Sequence, residues 1–227
     1  MATLSYHEQK DIENIKKLRE LQKELPSFCS DFFRGIETST STRTRIAYAY
    51  DLKIFFQFLK AANPGTFDNP SHTLTPSDLE KLTVTDLEEY IDYLKCHPSD
   101  TNEDVINTER GLMRKVSSLR SFYSYFFRNE RIEKNPAALV RMPKLHEKEI
   151  IRLEIDEVAK LLDEVEEGDK LTEKQKLYHE RTKVRDLAMM SLLLGTGIRV
   201  SECVGLNIND IDLDTCGARV YRKGGKE

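Results

Sequence analysis

Apolar residues recur at three- and four-residue steps through the first half of the chain, the spacing of helices with one buried face. The pattern predicts an amphipathic helix within residues 1–24, which packs either on the body of the protein or on a partner. Four further helices are predicted at 27–35, 42–62, 85–97 and 108–127, with loops at 63–76 and 99–107. We expect these four helices to form a compact bundle.

The pattern changes after residue 134. Asn135-Pro136 and Pro143-Lys144 favour extended backbone, because a proline disfavours the α conformation in the residue before it. Helices are predicted at 154–167, at 172–194 as one or two segments, and at 201–206, followed by a strand near 218–221 that opens a β-hairpin. We therefore expect a mainly α chain divided into a helical extension (1–24), a helical domain (25–134), a linker (135–152) and a second, incomplete domain (153–227).

Composition narrows the class of protein. The 227 residues are 39% hydrophobic, enough for buried cores, but no apolar run approaches the roughly 20 residues that a membrane-spanning helix requires. With no apolar leader at the start, we expect a cytoplasmic protein without a membrane partner. The four cysteines are widely separated, which favours reduced thiols over disulfides or a zinc site.

Charge is distributed unevenly along the chain, whose net charge is −4. Residues 110–148 contain ten Lys/Arg and three Asp/Glu, and residues 43–60 contain four Lys/Arg and one Asp. These local charges of +7 and +3 leave −14 for the rest of the chain. Basic segments in an otherwise acidic chain indicate one side that faces a polyanion, although a basic helix face can also be simply solvated.

The segment Gly195-Thr-Gly-Ile-Arg-Val-Ser-Glu202 places Arg199 three residues before Glu202, at the end of an apolar helix. Taken alone, such a pair is most often a surface ion pair. Arginine is also well suited to a phosphate, because its planar guanidinium donates two parallel hydrogen bonds and keeps its charge.

With its neighbours, this segment resembles the tyrosine recombinases and phage integrases, most of all the bacterial Xer-type proteins. The resemblance covers residues 24–227. It is carried by Gly195-Thr-Gly-Ile-Arg-Val-Ser-Glu202, Arg222-Lys-Gly-Gly-Lys-Glu227, Thr42-x5-Tyr48-x2-Asp51-Leu52-x2-Phe55-x2-Phe58, Arg114-Lys-Val-Ser-Ser-Leu-Arg-Ser-Phe-Tyr123 and Asn135-Pro-Ala137. It implies a helical, SAM-like core-binding domain followed by the mostly helical first part of a catalytic domain with a small β-hairpin.

The resemblance also implies a chemistry. In this family a tyrosine attacks a DNA phosphodiester and forms a 3′-phosphotyrosine, without a metal or nucleotide cofactor. It implies that Arg199 is the first catalytic arginine, that Glu202 supports it, and that Lys223 is the catalytic lysine, with Lys226 as a near competitor. The family partner is double-stranded DNA, on which four protomers assemble. The expected DNA contacts within the basic segments are Arg43, Arg45, Arg114, Lys115 and Arg120.

The chain also departs from the family pattern. It contains no His-x-x-Arg sequence, and its last tyrosine, Tyr221, precedes Lys223. We therefore expect a piece of a longer recombinase that binds DNA but does not cleave it. Two alternatives stay open: a non-catalytic, regulatory DNA-binding module, and a helical protein-interaction domain. We expect Phe122, Tyr123, Phe126 and Phe127 to be core residues rather than a surface that stacks on bases.

Overall fold

The computed structural model describes residues 6–69, 72–98, 103–146, 149 and 151–220. These residues are mainly helical. They divide into two compact units, Met1–Glu147 and Lys148–Glu227, each with its own internal packing.

The first unit is built from helices that begin close to the predicted positions. Side chains cap three of them: Ser41 accepts a hydrogen bond from the backbone N–H of Thr44, Thr83 from that of Asp86, and Thr108 from that of Gly111. Short 3-10 turns occur at Pro76–Lys81 and Pro136–Ala138. The helices are α1 (Tyr6–Lys23), α2 (Cys29–Gly35), α3 (Thr42–Ala62), α4 (Pro64–Phe67), α5 (Val84–Lys95) and α6 (Glu109–Arg128).

One hydrophobic core holds this unit together. The first helix, α1, packs along α3 and buries Leu18 and Leu21, so the amphipathic N-terminal segment covers the body of its own chain. It joins α2, α3, α5 and α6, the four helices that the periodicity predicts. Aromatic rings fill the centre, where Phe32 of α2 and Phe122 of α6 are fully buried with their ring centroids 5.2 Å apart.

A small hairpin occupies the segment for which the sequence predicts the end of a helix and a loop. Helix α5 ends at Lys95, and the chain then forms β1 (Cys96–Pro98) and β2 (Asp104–Ile106), which pair antiparallel with His97 opposite Val105. Strands of three residues are too short to show an alternating pattern in the sequence, which is why they were not predicted.

The second unit begins with two helices that pack on each other, α7 (Ile155–Glu167) and α8 (Glu173–Thr196). The α8 helix is continuous, which decides between the one and two segments that the pattern allowed. A short helix α9 (Val200–Val204), a 3-10 turn at Ile208–Asp210, and a hairpin of β3 (Ile211–Asp212) and β4 (Gly217–Ala218) follow. The predicted hairpin tip near Gly224 lies outside the described residues.

The helices in the described part of the chain are too short or too polar to span a bilayer. No group of three or more His, Cys, Asp or Glu side chains there could hold a metal ion. The four cysteines are free thiols, of which Cys29 and Cys203 are buried.

Candidate nucleic-acid interface

The turn that carries Arg199 is set by the end of α8. Gly197 adopts a left-handed conformation with φ of 67°, and its backbone N–H donates to the carbonyl of Leu193 at 2.9 Å. Glycine suits this position because a side chain strains the backbone at positive φ. The chain leaves α8 through this turn, and Arg199 becomes the N-cap residue of α9.

Glu202 holds Arg199 by two contacts. One carboxylate oxygen accepts the backbone N–H of Arg199 at 2.8 Å, and the other accepts the guanidinium Nη1, also at 2.8 Å. The two side chains differ in exposure, because 72% of the Arg199 side chain is exposed but only 8% of Glu202. A shielded carboxylate therefore anchors the Nη1 group of an exposed guanidinium. Lys223 and Lys226 lie outside the described residues.

The five side chains expected to contact DNA separate into two groups. Arg43 and Arg114 are exposed on the first unit, whereas Arg45 and Lys115 are buried and Arg120 is half-buried, each of these three against protein groups. The charge count in the sequence does not distinguish these two groups.

Arg45 and Lys115 are buried, against the expectation that they meet a phosphate. Arg45 is 8% exposed, and its Nη1 lies 2.7 Å from a carboxylate oxygen of Glu37. Lys115 is 7% exposed and donates from Nζ to Oδ1 of Asn107 at 2.6 Å. Burial lowers the pKa of Lys115, with Asp51 acting in the opposite sense. Arg45 ties α3 to the turn after α2, and Lys115 ties α6 to the residues just before it, so we leave both cations out of the candidate interface.

Arg120 is likewise occupied. Its Nε donates to the carbonyl of Ala137 at 3.1 Å, and its Nη2 donates to the carbonyls of Ala138 and Val140. These carbonyls belong to the turn at Pro136–Ala138 and the residues just after it. Arg120 therefore anchors the start of the connecting segment to α6, which is a structural role.

Arg114 lies where α6 meets α3, and its contact on α3 is one helical turn from Arg43. The guanidinium Nη1 of Arg114 donates to Oδ2 of Asp51 at 2.7 Å and lies 3.4 Å from the carbonyl of Ala47. Ala47 follows Arg43 by four residues, so Ala47 and Arg43 lie on the same face of α3. Arg114 keeps 45% of its side chain exposed and Arg43 is exposed.

Arg110 belongs to the same surface, although it was not among the five expected contacts. It precedes Arg114 by four residues on α6, and its exposed side chain has no hydrogen-bond or ion-pair partner in the described part of the chain. The helical spacing from Arg114 could have identified it from the sequence. We name the surface formed by Arg43, Arg110 and Arg114 the arginine face.

Comparison with known proteins covers both units of the chain. Residues 151–227, which include the Arg199 turn, match the phage integrase family. The relatives extend the match to the first unit. The chain is 35% identical to the tyrosine recombinase XerC of Caldanaerobacter subterraneus subsp. tengcongensis, over 89% of this chain and 54% of that protein.

A second relative gives the same result. The tyrosine recombinase XerS of Streptococcus uberis is 32% identical, over 93% of this chain and 65% of that protein. The chain is therefore a member of the tyrosine recombinase family over most of its length. It spans between about half and two thirds of the length of these curated relatives.

Arg120, which is bound to protein groups, and Arg43, which is exposed, are expected to differ in how much their replacement by alanine lowers the free energy of unfolding. Arg120→Ala is expected to lower the free energy of unfolding by about 2 kcal/mol, because three carbonyls lose a charged donor. Arg43→Ala removes an exposed side chain and is expected to change it by less than about 0.5 kcal/mol. Urea denaturation of both variants measures the difference. Equal stability losses would contradict the separation into anchored and available cations.

Proposed function

We propose that this chain is the DNA-binding and phosphate-activating part of a site-specific recombinase, which cleaves and rejoins DNA through a 3′-phosphotyrosine. The observation that carries the proposal is the Arg199–Glu202 pair, an exposed guanidinium held by a shielded carboxylate within the segment that matches the phage integrase family. Two of its relatives are tyrosine recombinases, XerC and XerS.

Arg199 would act on the phosphate under attack. When a tyrosine oxygen adds to a DNA phosphorus, negative charge grows on the non-bridging oxygens, and a cation fixed beforehand lowers the energy of that state. The contact with Glu202 leaves the Nη2 edge of Arg199 free to donate to these oxygens. Because the guanidinium stays charged throughout, it stabilises the transition state without exchanging a proton.

Lys223 is proposed to perform the proton transfer that Arg199 cannot. As the phosphorus–oxygen bond breaks, the departing 5′-oxygen needs a proton, and an ammonium group can donate one. Lys226 is the alternative donor, since it flanks the same pair of glycines.

The arginine face is proposed to hold the DNA backbone. Arg43, Arg110 and Arg114 supply three exposed cations at the junction of α3 and α6. Most protein–DNA hydrogen bonds go to the sugar–phosphate backbone and set position rather than sequence preference, and we assign the face that role.

The cleavage reaction needs more residues than this polypeptide contains. Its 227 residues include no His-x-x-Arg sequence and no tyrosine after Lys223. We propose that these residues alone bind duplex DNA without forming a covalent adduct, and that the whole recombinase acts as four copies on two DNA sites.

The salt dependence of DNA binding tests the interface. Three arginine–phosphate contacts predict that affinity for a labelled random duplex falls about 40-fold between about 50 and 200 mM salt. Replacing Arg43, Arg110 and Arg114 together by alanine is expected to weaken binding and flatten this dependence. The matched control replaces three exposed cations outside the face, Lys16, Arg34 and Lys60, by alanine. It is expected to change the affinity and its salt dependence far less. Affinity that does not respond to salt would instead favour a protein-interaction domain.

A further inference from the structure

Asp51 is a buried carboxylate whose side chain contacts the arginine face. It lies on α3 and is 2% exposed. Its Oδ2 accepts the Nη1 of Arg114 at 2.7 Å, and its Oδ1 is buried without a hydrogen-bond partner among the described residues. The core therefore contains an incompletely satisfied acidic group directly beneath an exposed arginine.

This carboxylate is costly to the fold. Burial raises the pKa of Asp51 to about 6, and the nearby positive charges of Arg114 and Lys115 only partly oppose the shift. Because the folded chain binds this proton more tightly than the unfolded chain, stability is lost as pH rises through the interval between about 4 and 6. At neutral pH the ionised group lowers the stability of the unit that contains it.

Asp78 shows that a buried carboxylate in the same unit can have the opposite effect. Burial acts to raise its pKa, but hydrogen bonds from Lys81, Thr75 and His72 outweigh burial and lower the pKa to about 2. Stability from Asp78 is therefore present above about pH 4 and lost as pH falls toward 2. A gain in stability is enough to account for a buried carboxylate at position 78, but it does not account for the one at Asp51.

We propose that Asp51 is a positioning residue for DNA binding, which holds the Arg114 guanidinium by Nη1 so that its remaining donors face a backbone phosphate. The inference rests on the proposed function of the arginine face. A destabilising group retained beside a functional surface is the expected result when stability is exchanged for a fixed geometry there.

Holding Arg114 in place lowers the entropy cost of binding DNA. A free arginine side chain samples many rotamers and loses them when it grips a phosphate, which weakens binding. The contacts of Arg114 with Asp51 and with the carbonyl of Ala47 restrict it before DNA arrives. The carboxylate also brings a negative charge close to the DNA. Simple charge counting therefore predicts that its removal strengthens binding, whereas positioning predicts that it weakens binding.

Asp51→Asn distinguishes these predictions, because asparagine keeps the size of the side chain and removes the charge. We expect its melting temperature to be unchanged or higher and its affinity for a random duplex to be about three- to tenfold weaker. Arg114→Ala is expected to weaken binding by a similar factor. In the double variant the two losses are not expected to add, because both changes remove the same ordered contact. Asp78→Asn is the matched control, with a lower melting temperature and unchanged affinity.

The possible failures can be told apart. If Arg114→Ala leaves affinity unchanged, the proposed arginine face is wrong. If Arg114→Ala weakens binding but Asp51→Asn leaves it unchanged or strengthens it, the face stands and the positioning role is wrong. If Asp51→Asn lowers the melting temperature, the affinities are compared at a temperature where every variant is folded. If the affinity losses of Asp51→Asn and Arg114→Ala then add in the double variant, the positioning role is wrong.

Discussion

Arg199→Ala is expected to reduce formation of a covalent protein–DNA adduct by about 10³-fold or more, and to leave duplex binding nearly unchanged. The measurement uses this chain extended to the length of its XerC and XerS relatives, so that the attacking tyrosine is present. Adduct on a nicked duplex is followed by denaturing gel electrophoresis, and binding is measured separately on intact duplex.

The size of the effect follows from where the charge develops. In the ground state a phosphodiester carries one negative charge, which solvent already screens. In the transition state additional charge is concentrated on oxygens that the fixed Arg199 guanidinium can reach, so its removal affects the reaction much more than binding. Equal losses in binding and in adduct formation would contradict this assignment.

Three control variants make the result specific. Arg199→Lys keeps the charge but loses the planar fork, and we expect only partial recovery of adduct. Glu202→Gln weakens the hold on Arg199 and is expected to lower adduct formation by about tenfold. Arg185→Ala removes another exposed, ion-paired arginine of the second unit, which contacts Asp186 at 2.7 Å, and is expected to have little effect. Adduct that persists in Arg199→Ala would refute the role assigned to Arg199, whereas an unsubstituted extended chain that forms no adduct would favour the regulatory DNA-binding module.

The helices were predictable from the sequence because their buried faces repeat regularly, but their ends were less so. The third bundle helix has two overlapping cap signals, Thr83 with Asp86 and Thr85 with Glu88. The predicted helix begins at Thr85, whereas the structure uses the first signal and begins α5 at Val84. Two caps of equal local quality cannot be ranked without the packing that selects one of them.

The site was predictable in part. The family motif picks out Arg199 and Glu202, and their 2.8 Å contact is what the three-residue spacing allows. The exposed cations were harder to predict, because long basic side chains can turn inward and bind backbone carbonyls. A usable signal did exist for Arg45, since it shares a helical stripe with the buried residues Ala49, Leu52 and Phe56.

The aromatic stripe of α6 was predicted as core, and this is confirmed for three of its four residues. Phe122, Tyr123 and Phe126 are fully buried, but Phe127 is 46% exposed. The reason is geometric, because four aromatic residues within two turns span more of the helix circumference than the core can cover. Phe127 therefore serves as an exposed control for a substitution of the buried Phe122.

Phe122→Ala is expected to lower the free energy of unfolding by about 3–5 kcal/mol. The ring of Phe122 meets those of Phe28, Phe32, Phe56 and Phe126, with centroids 5.1–6.2 Å apart. Truncation removes these contacts and leaves a cavity at the point where α2, α3 and α6 converge. Phe127→Ala is expected to cost less than about 1 kcal/mol, since that ring is half exposed. Urea denaturation followed by circular dichroism compares the two.

The same substitution connects the core to the proposed DNA interface. Phe122 is a buried residue of α6 about two turns from the exposed Arg114, and Phe56 is a buried residue of α3 between three and four turns from the exposed Arg43. A loss of about 3–5 kcal/mol is a large fraction of the stability of a typical domain, so DNA affinity of Phe122→Ala should fall on mild warming at which Phe127→Ala still binds. If both variants lost binding at the same temperature, the packing at Phe122 would not be what holds the arginine face in place.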